Sequence, residues 1–309
     1  MTDQDRRFGF FCAIAAYVGW GLFPIYFNAI APLGDAAILA HRIVWTTVLI
    51  TTLLLANKKL KKLFVFFRDA LLHDSKQLMV LLASALLIGA NWILFVHAVA
   101  TGNIMQSSLA YFINPLLSIF LGMLFLKEHL RPRQKLAILF AAIGVTILIV
   151  VGGEFPWLAL SLAGTFGLYG LLRKFTKSGA LLALGSELWL LFPFALTAIF
   201  FYPWPALEGY GPALSTLMIF LIGPLTGGLL LLFGKATKTL PLSTVGILQY
   251  LTPTGHFLCA LAYGEKCSGA KLASFIFVWI AVAVYCSDFL RSKKDAIEIH
   301  ETVEELNSQ

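Results

Sequence analysis

Charge is what this sequence has least of. Only 13% of its 309 residues are Asp, Glu, Lys or Arg, whereas 59% are hydrophobic. A soluble globular domain carries roughly 25% charge because it must hold a wetted surface. This chain lacks the polar residues to build one. Acidic groups are the scarcer sign, 16 against 23 Lys and Arg, for a formal net charge of +7. In a soluble chain that excess would raise the question of nucleic acid; here the cations fall in short runs between apolar stretches, and no nucleic-acid partner is expected.

Patterns that carry chemistry are missing too. The four cysteines, Cys12, Cys259, Cys267 and Cys286, form no CxxC and no metal-ligand spacing. Three of them lie in apolar runs, where a reduced small hydrophobe is the ordinary reading. There is no P-loop and no HExxH, which disfavours an ATP-fuelled pump and a zinc hydrolase. Serines inside the apolar runs lack an evident adjacent histidine and acid. No enzyme activity, cofactor or metal is therefore expected. Nor is a cleavable leader legible, because the charged residues 1–7 lead straight into an apolar run of spanning length with no small-residue cleavage site.

What the chain does have is apolar length. Crossing roughly 30 Å of hydrocarbon takes about 20 mostly apolar residues. Ten stretches meet or approach that: 8–28, 35–56, 78–97, 103–125, 136–153, 155–173, 180–201, 213–233, 240–262 and 270–290. Runs such as 136–151 do not alternate, so helices rather than barrel strands satisfy the backbone in lipid. The predicted fold class is all-α, a polytopic membrane protein of ten transmembrane helices.

Lys and Arg orient it. With a cytoplasmic N-terminus, the inward segments hold Arg6 and Arg7, the cations of 58–76 and 127–135, Arg173, Lys174 and Lys177, Lys235 and Lys238, and Arg291, Lys293 and Lys294. The opposite face keeps Lys266 and Lys271. This bias follows the positive-inside rule and puts both the N and C termini in the cytoplasm. Residues 57–77 mix lysines with Leu60, Leu63, Phe64, Phe66 and Phe67; a short helix at the inner interface and an ordinary loop both fit. The tail turns acidic after Lys294 and is expected to be a solvated helix or disordered.

The two halves resemble each other. Residues 89–95, Phe112 and Asn114-Pro115 have counterparts at 227–233, Tyr250 and Thr252-Pro253, a constant offset of 138 from 89 to 227 and from 115 to 253. Glu128 and Gly264-Glu265 close the two copies, and Trp20-Gly21 and Tyr169-Gly170 pair spans one and six. The expected organisation is a five-helix repeat over 1–153, a second over 154–290, and a polar cytoplasmic tail at 291–309. An odd number of helices makes the second copy enter from the opposite side. An inverted repeat around a central site is the arrangement expected of an alternating-access carrier.

A few groups are costly in lipid. Arg42 and Glu187 lie in spans two and seven, where an ionised side chain at the helix centre costs roughly 2.5–3.5 kcal/mol on insertion scales. Each sits about 10 Å into its helix at 1.5 Å per residue, and the two helices run in opposite directions, so a direct salt bridge is not expected. Arg42 reads either as a substrate or coupling residue or as a structural ion pair; Glu187 reads either as a proton-coupling group or as a protonated hydrogen bond between helices. Asn91, His97, Gln106, Asn114, Gln249 and His256 give spans three, four and nine a polar side, as ligand contacts or as interhelical bonds worth about 0.6–2 kcal/mol. Trp20, Trp92, Tyr111 and Tyr250 either enclose an organic substrate in the same cavity or belong to interfacial belts. Pro24, Pro115 and Pro253, with Pro193 and Pro224, fall inside predicted spans, and Gly21 and Gly227 permit close backbone approach; these are the hinge and packing candidates.

Particular strings go further. Gly19-Trp20-Gly21-Leu22-Phe23-Pro24-Ile25-Tyr26-Phe27, His41-Arg42-Ile43-Val44-Trp45, Asn91-Trp92 and Leu248-Gln249-Tyr250-Leu251-x-Pro253-Thr254 resemble the EamA-like permeases of the drug/metabolite transporter superfamily. The resemblance covers residues 6–290 and implies export of a small metabolite or drug across a bacterial inner membrane. It implies a small-molecule substrate, a lipid bilayer as surroundings, and protons or sodium as the coupling ion where transport is active. The second copy departs from the repeat at Thr252 and has one residue fewer before Glu265. The competing expectation is a membrane-embedded ligand-binding or regulatory protein without transport.

Overall fold

The computed structural model of the chain describes residues 3–100, 104–152, 157–201, 212–262, 269–270, 272–285 and 287–288. The tail at 291–309, Gly153-Glu154 between spans five and six, and Glu265 lie outside them. Among the described residues every regular element is helical: α1 (Asp3–Gly21), α2 (Phe23–Ile30), a 3-10 turn (Ala31–Leu33), α3 (Asp35–Ala56), α4 (Leu60–His73), α5 (Ser75–Ala100), α6 (Ile104–Leu126), α7 (Pro132–Gly152), α8 (Trp157–Phe175), α9 (Ala180–Phe201), α10 (Pro212–Thr239), α11 (Leu242–Leu248) and α12 (Leu251–Ala262). A further apolar helix, α13, covers Leu272–Tyr285.

Among the described residues six segments are long and apolar enough to cross a bilayer: Gln4–Phe27, Ala36–Ala56, Ser75–Phe95, Pro132–Val151, Ala180–Phe201 and Ala213–Thr239. Their outer faces invert the soluble pattern. Phe200 is 81% and Phe194 77% exposed on α9, an arrangement that water would penalise and hydrocarbon does not.

Two of the predicted spans are broken in the structure. Span one breaks at Leu22 into α1 and α2, and span nine breaks at Gln249 and Tyr250 into α11 and α12. In both cases a proline explains the restart. Pro24 and Pro253 occupy the first turns of α2 and α12, where a missing N–H leaves no intrahelical bond unmade. Pro115, Pro193 and Pro224 instead lie inside α6, α9 and α10. Of the two readings of 57–77, the structure has a short helix, α4 at Leu60–His73. It buries Leu63 and Ala70, two turns apart, and leaves Phe64, Leu71 and Leu72 exposed beside Lys61, Lys62 and Arg68.

Two compact units divide the chain: Met1–Leu126 with Pro156–Glu265, and Lys127–Phe155 with Lys266–Gln309. In the second, α7 packs on α13. Ser274 Oγ donates to Gly144 O at 2.8 Å, and a Cβ at Gly144 would lie 2.9 Å from Ser274 O. In the first, α3 packs on α9 and α10, α6 on α8, and α1 on α10. The loop before α5 is pinned to the loop before α9: Asp74 caps α5 by accepting from Gln77 N at 3.1 Å, and Lys177 pairs with its other oxygen. The Lys177 hydrogen bond holds the Asp74 carboxyl below the usual carboxylate range.

Small residues set the helix separations. A Cβ on Gly223 would lie 2.5 Å from the Trp45 carbonyl carbon and oxygen, and one on Gly227 would lie 3.0 Å from Thr46 Cγ2. Four residues apart, these glycines bring α10 against the backbone of α3, the close-packing mode available where lipid offers no hydrophobic drive. At the other contact a Cβ on Gly255 would lie 2.6 Å from Gly21 Cα, so the end of α1 crosses α12 backbone to backbone. Gly228, next along α10, has nothing within 4 Å of the same position. Gly223→Ala is expected to lower stability by about 1–3 kcal/mol through overpacking, whereas Gly228→Ala stays neutral or gains up to about 1 kcal/mol of helix propensity. Thermal unfolding of the two purified variants checks this, and equal effects would contradict the contact.

Candidate functional site

Arg42 projects from the second turn of α3 and keeps partial exposure. Its Nε donates to Thr226 Oγ1 of α10 at 3.1 Å. Its Cζ stands 4.6 Å above the Trp92 ring of α5 and 5.9 Å from the Phe27 ring of α2. A cation over a tryptophan face is attracted by the ring quadrupole, by about 2 kcal/mol or more when desolvated. The Tyr111 hydroxyl of α6 lies within electrostatic range of the guanidinium. No carboxylate among the described residues pairs with Arg42.

The cluster continues from there. The Tyr111 ring meets His256 of α12 edge-on, with centroids 5.1 Å apart, and His256 Nε2 lies 3.1 Å from Trp20 O. Trp20 in turn packs on Phe166 and Phe233, both at 5.8 Å. Phe233 stacks on Tyr169 at 6.1 Å with 15° between the rings. Direct contacts thus join Arg42 to Trp92, and join Tyr111 to Trp20 through His256.

Glu187 belongs elsewhere. It is fully buried on α9, and its Oε1 lies 3.2 Å from Arg173 Nη1 and 2.8 Å from Ser84 Oγ, while Tyr169 OH donates to Oε2 at 3.0 Å. Arg173 Nη2 donates to Ala180 O at 3.2 Å. Arg173 was counted among the inward loop cations, and the structure corrects this: it is 0% exposed and is the partner of Glu187. Its neighbours are likewise committed to backbone. Lys174 Nζ reaches Leu240 O, and Lys238 Nζ reaches Thr176 O, so both saturate carbonyls at helix ends.

The remaining candidates divide between glue and space. Asn91 Nδ2 donates to Leu162 O at 2.9 Å and to Thr165 Oγ1 at 3.0 Å, tying α5 to α8. Tyr250 is fully buried and donates to Phe112 O at 3.2 Å. Gln249 is buried at the break before α12. His97 is exposed near the end of α5. Gln106 lies on α6, with its side chain outside the described set. Thr226, the hydrogen-bond partner of Arg42, was not singled out from sequence; it sits between Gly223 and Gly227, inside the glycine stripe that faces α3. Arg173 was legible in principle, because Tyr169 stands one turn before it and the short α8–α9 link brings Glu187 back beside it.

Apolar helices in this number, phenylalanines facing outward and paired interior charges define a multi-pass membrane protein. The chain belongs to the EamA-like transporter family: residues 7–150 match that family. An uncharacterized transporter of Pseudomonas aeruginosa is 41% identical over 295 residues, 94% of this chain and 97% of its own length. Protein RarD of Escherichia coli is 35% identical over 297 residues, 95% of this chain and 99% of its own. A protein designated chloramphenicol-sensitive protein RarD, from Pseudomonas aeruginosa, is 28% identical and covers 89% of this chain and 92% of its own. A protein of known crystal structure shares the fold, with a TM-score of 0.67 at 16% identity, over 90% of this chain and 97% of that one.

Because Arg173 and Glu187 are both fully buried, removing one strands the other charge. Glu187→Leu alone, or Arg173→Met alone, is expected to cost about 3–5 kcal/mol. The double variant should recover at least half of that, because a buried pair exchanged for apolar residues of similar size is often neutral. Unfolding of all three variants in detergent measures the coupling; additive losses would mean the pair is not the unit.

Proposed function

We propose that this chain is an inner-membrane permease that exports a small organic solute by alternating access, driven by a proton or sodium gradient. Its ten helices form two inverted five-helix repeats, 1–153 and 154–290, with both termini cytoplasmic. Membership of a transporter family supports the general class. The observation that carries the finer reading is the hydrogen bond from Tyr250 to Phe112, which are 138 residues apart. That separation equals the offset between the two halves, so the two residues are repeat counterparts of one another. Counterparts related by a twofold axis touch each other only close to that axis, which is what an inverted repeat around a central site requires.

The Arg42 cluster supplies the solute site on this reading. It joins residues of both halves, Arg42 and Trp92 with Thr226, and it combines one charged donor with aromatic walls, the composition of a small-molecule pocket. Glu187 acts as part of the scaffold, since its oxygens already meet Arg173, Ser84 and Tyr169.

Counterflow of labelled metabolites in proteoliposomes tests the transporter. Arg42→Ala should insert and unfold like the parent while its flux falls at least about tenfold, the loss of roughly 1.4 kcal/mol or more of solute interaction. Unchanged flux would remove Arg42 from the site. Reporter fusions at the two termini should both read as cytoplasmic; opposite faces would end the inverted-repeat reading. A chain that binds solutes and moves none is a ligand-binding membrane protein.

A further inference from the structure

We infer that the Arg42 cluster is a seat for a monoanionic carboxylate with an apolar or ring-bearing body. This rests on the permease reading and deepens it by naming the class of solute.

Two arginines that are withdrawn from solvent on apolar helices, Arg173 and Arg42, are treated differently. Arg173 is neutralised by Glu187 at 3.2 Å with both side chains fully buried. Arg42 has no such partner among the described residues. A guanidinium carries five N–H donors. The Nε donor is taken by Thr226, and the terminal Nη donors have no acceptor among the described residues. Bonding at Nε restricts rotation of the fork, and its Cζ rests over the Trp92 ring at 4.6 Å. A planar fork with its outer edge open matches the two oxygens of a carboxylate bidentately.

Charge balance narrows the class. One cation in a low-dielectric site is neutralised by one anion, and a dianion such as a phosphate monoester would leave an uncompensated charge. The described neighbours of Arg42 are Thr226, Trp92, Phe27 and Tyr111. None is acidic, so an ammonium group on the solute would find no counter-charge. Amino-acid zwitterions and cationic drugs therefore fit worse than simple acids. The flanking rings of Trp92, Phe27 and Tyr111 suit an apolar body attached to the carboxylate.

The test uses the full-length chain in lipid nanodiscs and a panel of probes: benzoate, phenylacetate, indole-3-acetate and hexanoate, their primary amides, L-phenylalanine and phenethylamine. Equilibrium binding is measured for each. At least one acid should bind about tenfold or more tightly than its amide, the zwitterion and the amine, a ratio typical of one charge-assisted contact. Arg42→Gln should collapse the preference for acid over amide to under about threefold. Thr226→Val, which frees Nε, should weaken the acid alone and serves as the deciding variant if Arg42→Gln does not fold. The proposal is overturned if no acid in the panel outbinds its amide, or if the preference survives in the deciding variant. Acid binding without flux would leave the seat standing and remove the permease; flux of neutral or cationic compounds without acid preference would do the reverse.

Discussion

A guanidinium in hydrocarbon has nowhere to put its charge, and much of this structure follows from how two such groups are accommodated. The cost of an isolated ion in lipid is several kcal/mol. Arg173 meets it with a buried carboxylate, a backbone carbonyl and the ring of Tyr169, over which its Cζ stands at 5.9 Å. Arg42 meets it with a hydroxyl and a ring face. The first solution neutralises the charge and binds three helices, α5 through Ser84, α8 and α9, although the buried Arg173 Nε has no hydrogen-bond partner among the described residues. The second leaves donors over.

The same constraint shapes the neutral polar groups. Several interior hydroxyls and amides turn to a backbone oxygen: Thr46 and Thr47 to carbonyls one turn back on α3, Thr252 to Tyr17 O, Asn91 to Leu162 O. Each bond is modest, but each group left unpaired in lipid would cost more than the bond contributes. Polar residues consequently mark the inner faces of the helices, and the phenylalanines of α9 mark an outer one. Where backbone must meet backbone, glycine is used, at Gly21 against Gly255 and at Gly223 against Trp45.

Much of this could be read from sequence, for reasons that also explain the failures. Helix identity and membrane class follow from apolar length, because lipid permits few other solutions, and Arg42 and Glu187 stand out for the same reason. Position within a span was harder. Pro24 and Pro253 read as interior to long spans, because a proline at a restart is locally indistinguishable from one at a kink until the packing around it is seen. Arg173 was misplaced because it adjoins Lys174 and Lys177, and a charge at the end of an apolar run reads as the start of a loop. Its burial depends on α9 returning with Glu187, a tertiary fact. Thr226 was invisible because a threonine among glycines announces packing, not the acceptor for an arginine 184 residues away.

The two arginines also divide the molecule mechanically. The Arg173–Glu187 network fastens α8, α9 and α5 through groups that cannot be separated without exposing a charge to lipid, so these helices favour moving together. The face of α3 toward α10 combines close backbone approach, with Gly223 and Gly227 against Trp45 and Thr46, with a ring pair, Trp45 on Phe220 at 3.9 Å, and the polar tie described across it is Arg42 to Thr226. Glycine-lined contacts slide at low cost, whereas interlocked side chains resist it. On the proposed reading the solute site therefore lies at the α3–α10 contact. An anion that engages the Nη donors would bear on the polar bond described across that contact, which would couple occupancy to motion without a separate transmission path.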